Sequence, residues 1–307
     1  MIEADRQNAA ETPDPIVVRA RGLGKHYGET TALEGVDLDI PLGRIVGVIG
    51  ANGAGKTTML QSILGLQDFE GELSVLGRDP GRRRHDLMTD VCFIADVATL
   101  PKWMTVRQVL DYVADVHPRF DRDKARTYLA RTKIPLDRKV KALSKGMVVQ
   151  VHLAVVMAID ARLLVLDEPT LGLDIVFRKQ FYRNLLEEYF DEDRTILITT
   201  HQVEEVEHIL SDVIFIHDGR KVLDQDMESL SERFAEVAVT PDREAEARAL
   251  GPVQERSSFG RTVMTFENAD PDALEPLGTV RGLSLADIFV TTVSDPSVRV
   301  TAQGDAQ

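Results

Sequence analysis

The chain has 307 residues, 43% hydrophobic and 28% charged, a balance that suits a packed fold and is too apolar for a disordered one. Its 36 Lys and Arg stand against 50 Asp and Glu, and the net charge of -14 repels phosphate backbones, so no nucleic-acid partner is expected. The single cysteine, Cys92, leaves neither an internal disulfide nor a Cys-x-x-Cys metal site, which fits a reducing compartment.

In chain order, the first fifteen residues are polar and acidic, without the basic and apolar segments of an export signal, and residues 1–14 are expected to be a flexible N-terminus. Residues 16–20 and 36–40 alternate apolar and other side chains and predict short antiparallel strands. Residues 44–49 (RIVGVI) form a nearly continuous apolar run, as a strand buried on both faces would, and residues 56–66 read as a helix. Helical spacing returns at 106–116 and 124–132. Residues 148–159 are the most apolar stretch, but they are too short to span a bilayer and contain Gln150 and His152. Residues 163–166 and 195–199 predict two further buried strands, and His217-Asp218-Gly219-Arg220 predicts a hairpin turn. Alternation of buried strands with helices implies a mainly parallel sheet covered on both faces.

Composition shifts near residue 225. From Asp226 onward there are fifteen acidic residues, seven arginines and no lysine, a net of -8. Alternation at 235–240 and 262–266, with helices near 243–250 and 285–293, predicts a small α+β module. Arg82, Arg83, Arg84 and His85 form a basic run expected to be a solvated loop. Trp103 is expected to pack in the core.

The chemistry is concentrated in two segments. Gly50-Ala51-Asn52-Gly53-Ala54-Gly55-Lys56-Thr57, followed by Thr58, has P-loop spacing between a buried strand and a helix. Its glycines let backbone N–H groups converge on phosphate oxygens, Lys56 reaches the β and γ phosphates, and Thr57 offers a hydroxyl to Mg²⁺. Leu163-Leu164-Val165-Leu166-Asp167-Glu168 is an apolar strand ending in two carboxylates. Asp167 suits a metal site and Glu168 suits a base acting on water.

Together with Leu143-Ser144-Lys145-Gly146-Met147 and with His201 at a strand end, these segments resemble an ATP-binding-cassette (ABC) ATPase over about residues 15–225. The resemblance implies a P-loop NTPase sheet core of α/β class, an N-terminal antiparallel β layer and a helical insert at about 100–150; beyond it, composition and periodicity predict the small C-terminal α+β domain over 226–298, with 299–307 a flexible tail. It implies ATP and Mg²⁺ as ligands, Tyr27 as the ring stacking on adenine, and His201 as the switch histidine beside the catalytic Glu168. It also implies that Ser144, Lys145, Gly146 and Met147 meet the nucleotide of a partner ATPase subunit, identical or related, and that Asp174 lies in the loop coupling the two sites. Asp96 falls where the family commonly has a Gln that touches Mg²⁺. Lys145 and Met147 also depart from the family pattern. Residues 283–290 resemble the C-terminal extension of exporter-type subunits. The expected function is ATP hydrolysis that energises a separate integral membrane permease, from the cytoplasmic face of the membrane. The alternative is an ABC ATPase acting on ribosomes or nucleic acid. One P-loop, and only 111 residues from Lys56 to Asp167, fit that poorly.

Overall fold

The computed structural model describes residues 16–94, 100–258 and 260–294, so the expected flexible ends at 1–14 and 299–307 lie outside the described residues. The first nine strands are β1 (Ile16–Tyr27), β2 (Thr30–Pro41), β3 (Ile45–Ile49), β4 (Glu70–Val75), β5 (Val91–Ile94), β6 (Leu163–Asp167), β7 (Thr195–Thr200), β8 (Asp212–His217) and β9 (Arg220–Asp226). The last four are β10 (Phe234–Val239), β11 (Gln254–Ser258), β12 (Arg261–Glu267) and β13 (Gly278–Gly282).

A three-stranded antiparallel sheet, β2-β1-β4, forms the N-terminal layer. The two strands expected to be short are twelve residues each. Register shifts between Ala20 and Leu23, and again between Leu23 and Lys25, break the two-residue alternation and hide their true length from a periodicity reading.

The central sheet runs β5-β6-β7-β3-β8-β9 and is parallel except for β9 at the edge. Every residue of β3, β6 and β7 is buried, which explains their unbroken apolar runs. Successive side chains serve opposite faces. Val46 and Val48 enter the core shared with the N-terminal layer and the helix Lys56–Ile63, whereas Ile45 and Ile49 enter the core shared with the helices. That first helix stops three residues before the predicted end, where Gly65 turns the chain and the Leu66 N–H donates back to the Gln61 carbonyl at 2.8 Å.

Four helices cover the other face, and side chains cap each of them. Thr105 and Gln108 form a capping box at Val106–Val116, Asp121 caps Arg122–Ala130, Ser144 caps Lys145–Met157 and Asp174 caps Ile175–Asn184. The apolar stretch at 148–159 is thus mostly one thirteen-residue helix in the core, and no helix among the described residues is long and apolar enough to cross a membrane. Trp103 does not pack in the core as expected but is 68% exposed. The turn closed by the Met104 N–H on the Pro101 carbonyl gives the inward position to Met104 and turns the indole outward.

β10 to β13 form a separate antiparallel sheet, ordered β11-β12-β10-β13, with its own core of Val237, Val239, Ala247, Met264, Phe266, Leu274 and Leu277. The sequence missed β11 and β13, whose residues are mostly exposed and do not alternate apolar with polar. Glu236, 6% exposed, ties both into the sheet by bonding Arg256 of β11 and Arg281 of β13. The helix Leu285–Ser294 returns to the central core: Phe289 meets Phe215 of β8 edge-on at 5.2 Å, and the Leu285 N–H donates to Glu207 at 3.0 Å.

Candidate nucleotide-binding site

The register of the parallel strands builds the site. Ile49 lies opposite Thr200, and Asp167 opposite Thr199, so the carboxyl ends of β3, β6 and β7 bring residues 50–57, 167–168 and 199–201 to one edge of the sheet. In open α/β sheets this edge is where ligands bind.

Close packing demands glycine at two points of the loop. A Cβ on Gly50 would fall 2.4 Å from the Ile216 carbonyl oxygen, and one on Gly55, at φ +107°, would fall 2.5 Å from the Ala32 carbonyl oxygen. Gly55 also caps the helix Lys56–Ile63 without a side chain, leaving its first N–H groups and positive dipole end open to an anion. Lys56 folds back over the loop, donating to the carbonyls of Gly50 at 2.6 Å and Ala51 at 3.0 Å. Burial lowers its pKa, and the charges of Glu168 and Asp167 oppose that shift.

Asp167 is almost fully buried. Its Oδ1 accepts from the Thr199 hydroxyl at 2.5 Å and its Oδ2 from the Thr57 hydroxyl at 3.2 Å. A hydroxyl and a carboxylate so placed are hard oxygen ligands of the kind Mg²⁺ takes alongside phosphates. Glu168 sits at φ +48°, a left-handed conformation that costs a non-glycine residue on the order of 1–3 kcal/mol. Its Oε1 is 2.8 Å from His201 Nδ1, and its Oε2 accepts from the Thr200 hydroxyl at 3.3 Å. Because an ionised carboxylate only accepts, this pairing places the imidazole proton on Nδ1 and leaves Nε2 for a ligand.

Tyr27 is half exposed at the end of β1. Its hydroxyl donates to Gln67, whose amide donates to the Thr58 carbonyl at 2.8 Å, and Lys25 stands 5.2 Å from the ring centroid. No local pattern pointed to Gln67, which ties the ring to the loop helix. Ser144 accepts from the Met147 N–H at 3.3 Å, and Ser144, Gly146 and Met147 line a groove with Gly172 and Asp174. Lys145 lies against Gly172, where an added Cβ would be 2.8 Å from its Nζ. No hydrogen bond or ion pair joins Ser144–Met147 or Asp174 to the phosphate loop among the described residues. Asp174 accepts from the N–H groups of Val176 and Phe177. Asp96 lies outside the described residues. The basic run is exposed as expected, with Arg82 paired to Asp79 and Arg83 to Asp86, but it is only half a loop, because Arg84 and His85 open a short helix, Arg84–Leu87. Cys92 is buried and its thiol is pushed up to about 12, which makes it inert.

Strand, phosphate loop and helix beside two strand-end carboxylates define a P-loop nucleotide hydrolase. The family model described as ABC transporter matches residues 33–171. The Nod factor export ATP-binding protein I of Burkholderia orbicola is 34% identical over 210 residues, covering 66% of this chain and 68% of its own. The lantibiotic transport ATP-binding protein SrtF of Streptococcus pyogenes is 30% identical over 226 residues, covering 71% and 96%. The tungstate uptake ATP-binding protein TupC of Peptoclostridium acidaminophilum is 30% identical over 214 residues, covering 66% and 95%. Among solved structures, the dimeric post-hydrolysis state of an ATP-binding cassette bound to ADP and Pi superposes with a TM-score of 0.59 at 23% identity, over 68% of this chain and 98% of that one. The chain belongs to the ABC transporter family as an ATP-binding subunit, and it is an ATPase of that family.

Proposed function

We propose that the chain hydrolyses MgATP at the edge formed by β3, β6 and β7 and thereby drives an export permease. The observation that carries this reading is the meeting of Lys56, the Thr57–Asp167 pair and the Glu168–His201 pair on three adjacent strand ends. Lys56 exchanges its two carbonyl partners for β and γ phosphate oxygens. The loop N–H groups of Gly50 to Thr58 hold the phosphates, and Tyr27 offers a ring to the adenine. Thr57 and Asp167 would hold Mg²⁺, which supplies charge neutralisation at the phosphates. Glu168 takes the proton of the attacking water, and His201 holds its carboxylate in place.

The groove lined by Ser144, Gly146, Met147 and Asp174 is apart from the chain's own phosphate loop, which supports its use by a second ATPase subunit, identical or related. Residues 15–225 would be the ATPase domain and 226–298 an accessory domain. Work at the inner face of the membrane follows from the permease partner. Export is favoured by the Nod factor relative and by the C-terminal segment 283–290, while the tungstate relative makes uptake the outcome that would reverse the direction.

Tagging the chain and purifying it from membranes should recover an integral permease. Transport by that complex in vesicles should move substrate away from the ATPase side. Recovery of ribosomes or nucleic acid instead would replace the transport reading. At Asp96, substitution to Asn should raise the Mg²⁺ concentration needed for half-maximal hydrolysis, because an amide oxygen is a poorer ligand for a hard cation. Unchanged Mg²⁺ dependence with tighter ATP binding would instead mark Asp96 as a repulsive charge.

A further inference from the structure

Arg178, four residues after Asp174 on the helix Ile175–Asn184, makes three bonds that cross between elements. Its Nε–H donates to the Leu173 carbonyl at 2.8 Å, and its Nη1 donates to Gln202 Oε1 and to Glu205 Oε1, each at 2.5 Å. Leu173 belongs to the loop that ends at Asp174. Gln202 directly follows His201. The ion pair is sheltered, with the Arg178 side chain 20% exposed and that of Glu205 28% exposed. The other oxygen of Glu205, Oε2, is buried and has no partner among the described residues. The guanidinium is therefore the group holding this carboxylate.

The connection runs on to the strand-end carboxylate. The Gln202 N–H donates to the Thr200 hydroxyl at 2.9 Å, that hydroxyl donates to Glu168 Oε2, and His201 holds Glu168 Oε1. Segment 201–209 has little helix of its own to fix it, only Val203–Val206 and a 3-10 turn at Glu207–Ile209. Its position depends on what it leans against. A planar guanidinium with three acceptors in fixed directions constrains two segments far more tightly than a single bond would.

We propose that Arg178 is a positioning residue for ATP hydrolysis, locking the 171–174 loop and the His201 segment into one unit so that a second subunit pressing on the loop sets the His201–Glu168 pair. This rests on the reading of Glu168 and His201 as the hydrolytic pair. Arg178 touches neither of them. It acts on orientation, so its loss lowers kcat and leaves ATP affinity nearly intact, since the phosphate loop and Tyr27 are untouched.

The test compares Arg178→Ala and Arg178→Lys with the wild type in steady-state ATPase assays, ATP binding and thermal melting, with Glu168→Gln in parallel. Arg178→Ala should lower kcat by roughly tenfold or more, in line with the penalty for misplacing a reacting group by about 1 Å. KM for ATP should stay within about twofold, and cooperativity in ATP should fall toward a Hill coefficient of 1, because the loop no longer reports to the histidine. Arg178→Lys keeps the charge but not the fork, and should recover only part of kcat. Wild-type kcat and cooperativity in a folded Arg178→Ala overturn the proposal. If the Ala variant does not fold, the Lys variant decides by the same readouts, and misfolding of both overturns it by making Arg178 a brace for the fold. Should Glu168→Gln also turn over normally, the hydrolytic pair itself is wrong; a dead Glu168→Gln beside a normal Arg178→Ala rejects only Arg178.

Discussion

Glu168→Gln is expected to lower ATP turnover by at least about 100-fold, the usual contribution of a positioned general base, while ATP affinity stays within about threefold. The amide is isosteric, so its oxygen can still accept from His201 Nδ1, and the Asp167 contacts with Thr57 and Thr199 are unaffected. What disappears is the carboxylate lone pair that takes the water's proton. Nucleotide is then bound but not consumed, so paired subunits should accumulate with ATP and separate when ATP is removed. Size-exclusion chromatography with and without ATP reads the pairing, and phosphate release reads the turnover. Hydrolysis at the wild-type rate would remove Glu168 from its role.

Lys56→Ala should act on binding first. Its ammonium carries two hydrogen bonds to loop carbonyls, and under the proposed function a triphosphate would replace them with stronger bonds in which both partners are charged. Hydrogen bonds to charged groups are worth about 1.5–3 kcal/mol, which predicts ATP binding weaker by roughly 10- to 100-fold in calorimetric titration and turnover reduced with it. The loop should keep its shape, since the Ala54 N–H still closes on the Ala51 carbonyl and Gly50 still fits beneath Ile216. A melting temperature close to wild type would separate loss of the ligand contact from loss of the fold. Unchanged affinity and turnover would end the P-loop reading.

Much of the core was legible because burial on both faces leaves a mark in one dimension. Residues 44–49, 163–166 and 195–199 read as apolar runs and are β3, β6 and β7. The glycine pattern and the paired acids likewise announced the loop and the strand end. Bonds between segments far apart in sequence left no such mark. Nothing local to Gln67 says that it links Tyr27 to Thr58, and nothing near Arg178 says that it reaches Gln202 and Glu205. The hydroxyls of Thr199 and Thr200 are hidden for the same reason, since strand pairing alone brings them to Asp167 and Glu168. Trp103 misled because a large aromatic favours burial on average, whereas a single tight turn settled which neighbour faced inward. Edge strands such as β11 and β13 carry polar, exposed residues and so resemble loops until their partners are known.

The order of the central sheet also governs how the protein can be made. Both hydrogen-bonding neighbours of β3, which are β7 and β8, lie after residue 194, so the strand that carries the phosphate loop leaves the ribosome long before either exists. The carbonyl of Ile216, against which Gly50 is fitted, belongs to the later of the two. Chains grow from the N-terminus at about 5–20 residues per second, and contacts between distant segments form late and slowly. A nascent chain released before β8 therefore carries every residue of the loop and the Ala32 carbonyl beneath Gly55, but not the Ile216 carbonyl that closes against Gly50. The loop should therefore reach its full packing only once synthesis has passed His217.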